Sequence, residues 1–362
     1  MTTSNQSSGA RVWAAIDLAA VRSNARTVAE FSGARLLPMI KANAYGLGSI
    51  PIAHALEALD PWGYGVATIE EALELRRAKI TRALVVFTPF HPSQLDIYHQ
   101  NDLRPAMGDL PSLRAWTSAS KRPFHIEIDS GMSRAGFRWN DAALMAELAS
   151  ILTSAPEWEG LFTHFHSVDE IAPSVPQQWD RFQGALRLLP RKPPLVHAAN
   201  SAAALADRRY GADLVRPGIF LFGGEAGGRY PSTVVRLESR VVAVRRIAKG
   251  DTVSYGASWI AEEPATIATL AVGYADGLPR SLSNRGKVEI NGVMAPIAGR
   301  VTMDMTMLAL PERDPVAVGD TATIFGGRMT LDQQAAAAGT ISYEMLTRLG
   351  SRVERRYHES TA

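Results

Sequence analysis

Eight short apolar runs, each followed by a stretch with helical spacing, set the strongest limit on how this chain can fold. In order they are LLPMIK (36–41), GYGVAT (63–68), ALVVFT (83–88), LRPAM (103–107), HIEID (125–129), GLFTHF (160–165), LVHAAN (195–200) and LVRPGIFLFG (214–223). Runs this short and apolar suit strands buried on both faces. The segments between them, such as IEEALELRRA and DAALMAELASIL, carry helical periodicity. Eight strand-then-helix units predict a (β/α)8 barrel. Asp17 is expected to N-cap the first helix, with Leu18, Val21, Ala25 and Val28 on its apolar stripe.

Near Thr233 the texture changes. VVRLESRVVAVRRI, TIATLAVGYADG, KVEINGVMAPIAG and DTATIFGG are β-rich, and Asn291-Gly292 is a strong hairpin signal. Helical spacing returns only in TLDQQAAAAG and after Ser342. The expected organisation is a polar tail over 1–10, a barrel over 11–232 and a mainly β domain over 233–362. Val12 to Ile16 could add a strand to that β domain. A hydrophobic content of 46% suffices for cores in both parts.

Other classes are disfavoured. Lys+Arg 38 against Asp+Glu 36 announces no surface for nucleic acid. With no cysteine, disulfide scaffolds, thiolate metal sites and cysteine nucleophiles are excluded. The polar N-terminus has no apolar core of signal-peptide length, and no apolar run is long enough to cross a bilayer. A soluble, cytoplasmic protein without a membrane partner is expected.

Barrel enzymes place their chemistry at the C-terminal ends of the strands. Lys41 is expected to end the first strand, where partial desolvation lowers its pKa and frees the amine to act as nucleophile or base. Asp129, Gly131 and Arg134 follow the fifth run, His164 the sixth, and Asn200-Ser201 close the seventh. Arg216, Gly218 and Ile219 belong to the eighth. Loops after the last two strands commonly cradle phosphate, and Ser201 and Gly218 offer a hydroxyl and a close backbone approach. A nucleophilic lysine facing such a cradle suggests pyridoxal 5′-phosphate (PLP). His125, His166 and His197 lack ligand partners at useful spacing, so no metal is expected.

The motifs KANAYG (41–46), DSGMSRAG (129–136), THF (163–165), HAANSAA (197–203) and VRPG (215–218) resemble those of bacterial alanine racemases. So do YGASW (255–259), GYADG (273–277), GRVTMD (299–304) and ISYE (341–344). Sharing their order and spanning nearly the whole chain, they imply a PLP barrel followed by a β domain, working as a head-to-tail homodimer with sites shared between subunits. The implied activity is interconversion of L- and D-alanine by two-base proton transfer on a PLP aldimine, supplying D-alanine for peptidoglycan. By the resemblance Lys41 carries PLP and is one base, and Tyr274 is the other, delivered to the facing subunit's site. Tyr45, Ser201, Gly218, Ile219 and Tyr343 correspond to cofactor binders, chiefly of the phosphate. Arg134 matches an arginine near the cofactor hydroxyl and the substrate carboxylate, and Met303 a substrate contact from the partner chain. Asp169, Arg300 and Ile341 match residues lining the access corridor.

In the family Arg216 faces the pyridine nitrogen. Because arginine does not readily release its proton, the ring stays a poorer electron sink, which favours quick reprotonation. His164, paired with Arg216, could tune Tyr274 through a shared network.

Two departures stand out. Many relatives carry a carbamylated lysine where this chain has Glu127, whose fixed charge is expected to orient Arg134 in a bidentate pair without bicarbonate. His166 replaces a usually small residue and could alter the site mouth. The rival expectation is a broader amino-acid or serine racemase on the same scaffold. A non-catalytic PLP carrier is disfavoured by the β domain, and a PLP decarboxylase by Arg216.

Overall fold

The computed structural model describes residues 9–168, 174–313 and 315–360. Local rules set the first helix. The Asp17 side chain accepts from the N–H groups of Ala19 and Ala20, and Gly33 closes the far end at φ 68°. Between these caps α1 (Leu18–Ser32) buries Val21, Ala25 and Val28, the apolar stripe expected from their spacing.

Strand β1 (Val12–Asp17) precedes that helix and lies outside the barrel. The barrel itself is built from β2 (Arg35–Leu36), β3 (Gly63–Val66), β4 (Ala83–Val86) and β5 (Leu103–Met107). It continues through β6 (Phe124–Asp129), β7 (Trp158–Phe162), β8 (Leu195–His197) and β9 (Leu214–Val215). Strands β3 to β8 pair in parallel and in chain order, and β9 pairs in parallel with β2. Parallel bridges Met39–Gly65 and Asn200–Arg216 close the ring.

Two strands are shorter than their apolar runs suggested, and both are interrupted at proline, which has no N–H for the ladder. Beyond Leu36 and Pro38 only Met39 still bridges, so Lys41 begins a turn and does not end a strand. After Arg216 and Pro217 the eighth run becomes a 3-10 turn, Ile219–Phe222. This turn delivers backbone N–H groups to the barrel mouth.

Leu37, Val85, Leu195 and Leu214 form a small apolar cluster of their own, closed by Trp62 and Phe87. Contributions from strands around the ring make this one layer of the barrel interior. The neighbouring positions are polar, yet His125, Glu127, His197 and Arg216 are all buried.

The β-rich part is organised on β10 (Val235–Ile247), which pairs antiparallel with β1, with β11 (Ala265–Leu270) and with a later strand. A hairpin of β12 (Lys287–Ile290) and β13 (Val293–Pro296) turns at Asn291 (φ 48°) and Gly292 (φ 78°), as a two-residue hairpin loop demands. Next come β14 (Thr306–Pro311), beside β11, and β15 (Thr321–Phe325), the later partner of β10. The last strand, β16 (Glu354–His358), runs parallel to β1, so both ends of the described chain meet in one sheet. Among the described residues no helix is long and apolar enough to cross a membrane.

Candidate active site

A cavity of about 700 Å³ opens where the barrel strands end, and Lys41 lines it. The following residues, Ala42, Asn43, Ala44 and Tyr45, have φ of 51°, 55°, 50° and 55°. Left-handed backbone costs a non-glycine residue roughly 1–2 kcal/mol, so this turn needs support from outside. Glu71 accepts the Ala42 N–H at 2.7 Å through one oxygen and the Ala67 N–H at 2.7 Å through the other. From the β domain Arg355 donates to the Gly46 carbonyl at 3.0 and 2.9 Å, and the Tyr357 hydroxyl to that of Leu47 at 2.9 Å. A Cβ on Gly46 would stand 2.4 Å from the Leu346 carbonyl, so only glycine lets the β domain close on this turn. Strain held in place this firmly is characteristic of functional positions. Burial first, and then Arg134, push the Lys41 amine below the ordinary lysine range, with Glu71 opposing.

Arg216 is fully engaged on one side. Its Nη1 donates to His197 Nδ1 at 2.9 Å and to the His197 carbonyl at 2.8 Å. Its Nη2 donates to the carbonyls of Thr163 at 2.7 Å and Ala198 at 3.0 Å, with His164 Nδ1 at 3.4 Å. Among the described residues its Nε–H has no acceptor, and the side chain lines the cavity. Burial lowers Arg216 to about 10, with Glu127 opposing, which leaves it protonated at neutral pH. Burial, with the charges of Arg216, Arg134 and Lys41, pushes His164 down to about 3, so this imidazole is uncharged.

A third group of donors converges nearby. Ser201 Oγ accepts the Gly218 N–H at 2.8 Å, which leaves its own hydrogen to donate. The Ile219 N–H, at the start of the 3-10 turn, has no acceptor among the described residues. The Tyr45 hydroxyl lies against Gly218, where a Cβ would stand 2.2 Å away. Burial, then Tyr343, raises the Tyr45 pKa, which keeps it a phenol and a donor. The Tyr343 ring is 5.9 Å from that of Tyr45. Hydroxyls and a backbone N–H aimed at one spot suit a phosphate. An amine, a donor-only arginine and this cradle, all around one cavity, fit the three ends of PLP.

Glu127 and Arg134 line the same cavity. Burial raises the Glu127 carboxyl, while Arg134 and Arg216 pull it down. The expected bidentate pair does not form: Arg134 is exposed, on a loop that Asp129 fixes by accepting the N–H groups of Gly131 at 3.0 Å and Ser133 at 2.9 Å. The two charges therefore act across the cavity. His166 turns to the Ser167 hydroxyl at 2.6 Å and does not line the cavity formed by the described residues.

Ile341 and Tyr343 reach the cavity from the β-rich part. Tyr274, Met303 and Arg300 do not line it, and they lie on the outer surface of the same chain. Their loops are fastened together: the Tyr274 N–H donates to the Thr302 carbonyl at 3.0 Å and the Ala275 N–H to that of Met303 at 3.0 Å. Asp169 falls outside the described residues. Sequence reasoning missed Phe87 and Phe162, which wall the cavity, and the supports Glu71, Arg355 and Tyr357. Only the capping pattern of Thr68 with Glu71 could have marked one of them.

Solved structures with this architecture include the alanine racemase of Streptomyces lavendulae (TM-score 0.89, 31% identity, 98% of each chain covered). Another is the alanine racemase of Bartonella henselae with covalently bound pyridoxal phosphate. That match has a TM-score of 0.90 at 32% identity and covers 96% of this chain and 100% of the other. Fold and site together define a PLP-dependent barrel enzyme with an appended β domain. Family models described as alanine racemase N-terminal and C-terminal domains match residues 16–226 and 234–357, and the alanine racemase of Halothermothrix orenii is 36% identical, with 95% of this chain and 96% of the relative covered. The chain belongs to the alanine racemase family.

Proposed function

We propose that this chain interconverts L- and D-alanine with two bases on opposite faces of one carbon, Lys41 from the barrel and Tyr274 from the facing subunit of a homodimer. The observation that carries the reading is the convergence of the Lys41 amine, the Arg216 Nε–H and the donor cradle on one cavity. PLP bound there supplies an electron-withdrawing ring that makes the substrate Cα–H acidic. The residues do the rest. The lowered pKa of Lys41 leaves more of the amine free to take or return a proton. Arg134 offers a cation to the substrate carboxylate, and Glu127 opposes the positive charge gathered in the cavity. His164 stays uncharged beside Arg216, accepting one of its hydrogens.

A second subunit is part of this reading. Tyr255, Tyr274, Met303, Met305 and Ile341 are 71%, 43%, 53%, 48% and 61% exposed. Large apolar side chains left uncovered support an interface, and Ile341, which also lines the cavity, supports a partner at its mouth. Met303 then contacts the partner's substrate, while Arg300 and Ile341 belong to the corridor. The barrel is assigned to 11–232, except that β1 joins the sheet of the β domain, and the β domain to 233–362, with D-alanine for peptidoglycan made in the cytoplasm. The decisive experiment incubates the purified protein, loaded with PLP, with single enantiomers of alanine, serine and lysine. Alanine should racemise fastest, and borohydride should fix the cofactor on Lys41. Faster turnover of serine, or labelling elsewhere, would refute the reading.

A further inference from the structure

Beneath the cavity, inside the barrel, lies a line of polar side chains that the chemistry above leaves unused. His197, whose Nδ1 receives the Arg216 Nη1–H at 2.9 Å, has its Nε2 2.9 Å from His125 Nδ1. His125 Nε2 is 3.2 Å from Glu159 Oε2, to which Arg104 Nε also donates at 3.1 Å. The surroundings are apolar: Phe162 stacks on His197 at 5.1 Å and Trp62 lies 5.7 Å from His125. Gly160 makes the room, since a Cβ there would stand 2.3 Å from His125 Nδ1.

The hydrogens follow by elimination. A guanidinium only donates and a carboxylate only accepts. His197 Nδ1 must therefore be bare, so its Nε2 carries the hydrogen and donates to His125. His125 Nδ1 must then be bare too, and its Nε2–H donates to Glu159. Changing either tautomer, or protonating either ring, sets two N–H groups against each other unless Arg216 turns away. Burial independently presses both rings toward the uncharged form.

We propose that His197, His125 and Glu159 are positioning residues, a one-way chain of hydrogen bonds that locks the guanidinium of Arg216 with its Nε–H turned to the cofactor. The proposal rests on the reading that Arg216 faces the cofactor ring. Reversal at any point of the chain would deprive Nη1 of its imidazole acceptor, leave the His197 carbonyl alone to hold that nitrogen, and let the guanidinium tilt from its set direction.

Ring-nitrogen correlations in 15N-labelled protein report each histidine's tautomer whether or not the enzyme turns over. At pH 7 the signals removed by His125→Asn and by His197→Gln should belong to uncharged Nε2–H rings. An Nδ1–H ring or an imidazolium at either position would overturn the proposal. Glu159→Gln keeps an oxygen acceptor and should hold kcat within about twofold of the parent. Glu159→Leu should lower kcat about tenfold at nearly unchanged KM, the signature of an interaction used in the transition state. It should also shift the visible absorption of the PLP-loaded protein. Parental kcat and absorption in Glu159→Leu would overturn the proposal equally. If that variant does not fold, His125→Leu against His125→Asn, whose amide oxygen can still accept from His197, poses the same question. Should the protein racemise no alanine, the wild-type tautomers still decide the chain, so the two readings fail separately.

Discussion

Burial lifts the Glu127 carboxyl above the ordinary glutamate range, against the opposing pull of Arg134 and Arg216. Where it is ionised, Glu127 attracts Arg134 across the cavity and restrains that exposed side chain without pairing with it. Glu127→Gln removes that charge at constant shape, and KM for alanine should rise about tenfold, or about 1.4 kcal/mol, with activity in the parent indifferent to bicarbonate. An unchanged KM would show that Glu127 does not position the arginine. His164 carries a second consequence. Its folded pKa of about 3 lies below the unfolded value near 6.5. As pH falls through 6.5 the unfolded chain takes up a proton that the folded chain refuses, so stability drops with acid and is unaffected above that range. The slope approaches about 1.4 kcal/mol per pH unit for one such group. Urea midpoints followed from pH 8 to pH 5 should fall below about 6.5, and less so in His164→Asn. A flat profile would contradict a neutral, buried His164.

At the scale of elements, the turn that carries Tyr274 is anchored from three directions. The buried Asp276 carboxylate accepts from Arg11 Nη2 at 2.6 Å, from Arg352 Nε at 3.0 Å and from the Gly273 N–H at 2.9 Å. Arg352 continues to Asp304 at 2.7 Å, beside Met303. Burial alone would raise the Asp276 pKa, but the hydrogen bonds from Arg11 and Arg352 outweigh it and hold it low. The stabilisation is thus present above the unfolded carboxyl range and is lost as pH falls through the depressed folded value. Asp276→Asn should cost about 2 kcal/mol at pH 7, less than a fully buried pair because both arginines can rehydrate, and the cost should shrink below about pH 4. Chemical denaturation at the two pH values checks this; an equal cost at both would mean that packing, not charge, secures the turn. None of this clamp was legible in the chain, because Arg11, Asp276 and Arg352 are brought together only by the sheet. The barrel strands were legible, since each is a short run buried on both faces. Ser201, Arg216 and Gly218 were legible because strand ends advertise the mouth, and Lys41 because it follows the first apolar run, although it begins a turn there. A tight turn after Lys41 was legible, but its left-handed run over 42–45 was not, since only Asn43 favours that region and alanine and tyrosine give no warning of it.

For the whole molecule, the separation of Tyr274 from the cavity of its own chain makes a quantitative demand on assembly. One chain supplies a lysine without its phenol, and a head-to-tail pair of chains can supply both at each of two sites. Take Lys41→Ala and Tyr274→Phe, each nearly inactive as a homodimer because every site lacks one base. In a mixed dimer one site has lost both groups, and the other combines Lys41 of the second variant with Tyr274 of the first. Tandem-tag purification of that mixed dimer should therefore recover about half the parental kcat per dimer, and an unfractionated equal mixture about a quarter, by symmetry of a two-fold assembly. Sites contained within single chains would give no recovery in either preparation, because neither variant chain holds both bases. Recovery that vanished on dilution below the dimer's dissociation range, and returned on concentration, would tie the activity to the shared mouth at Ile341 and Met303 and to no other surface.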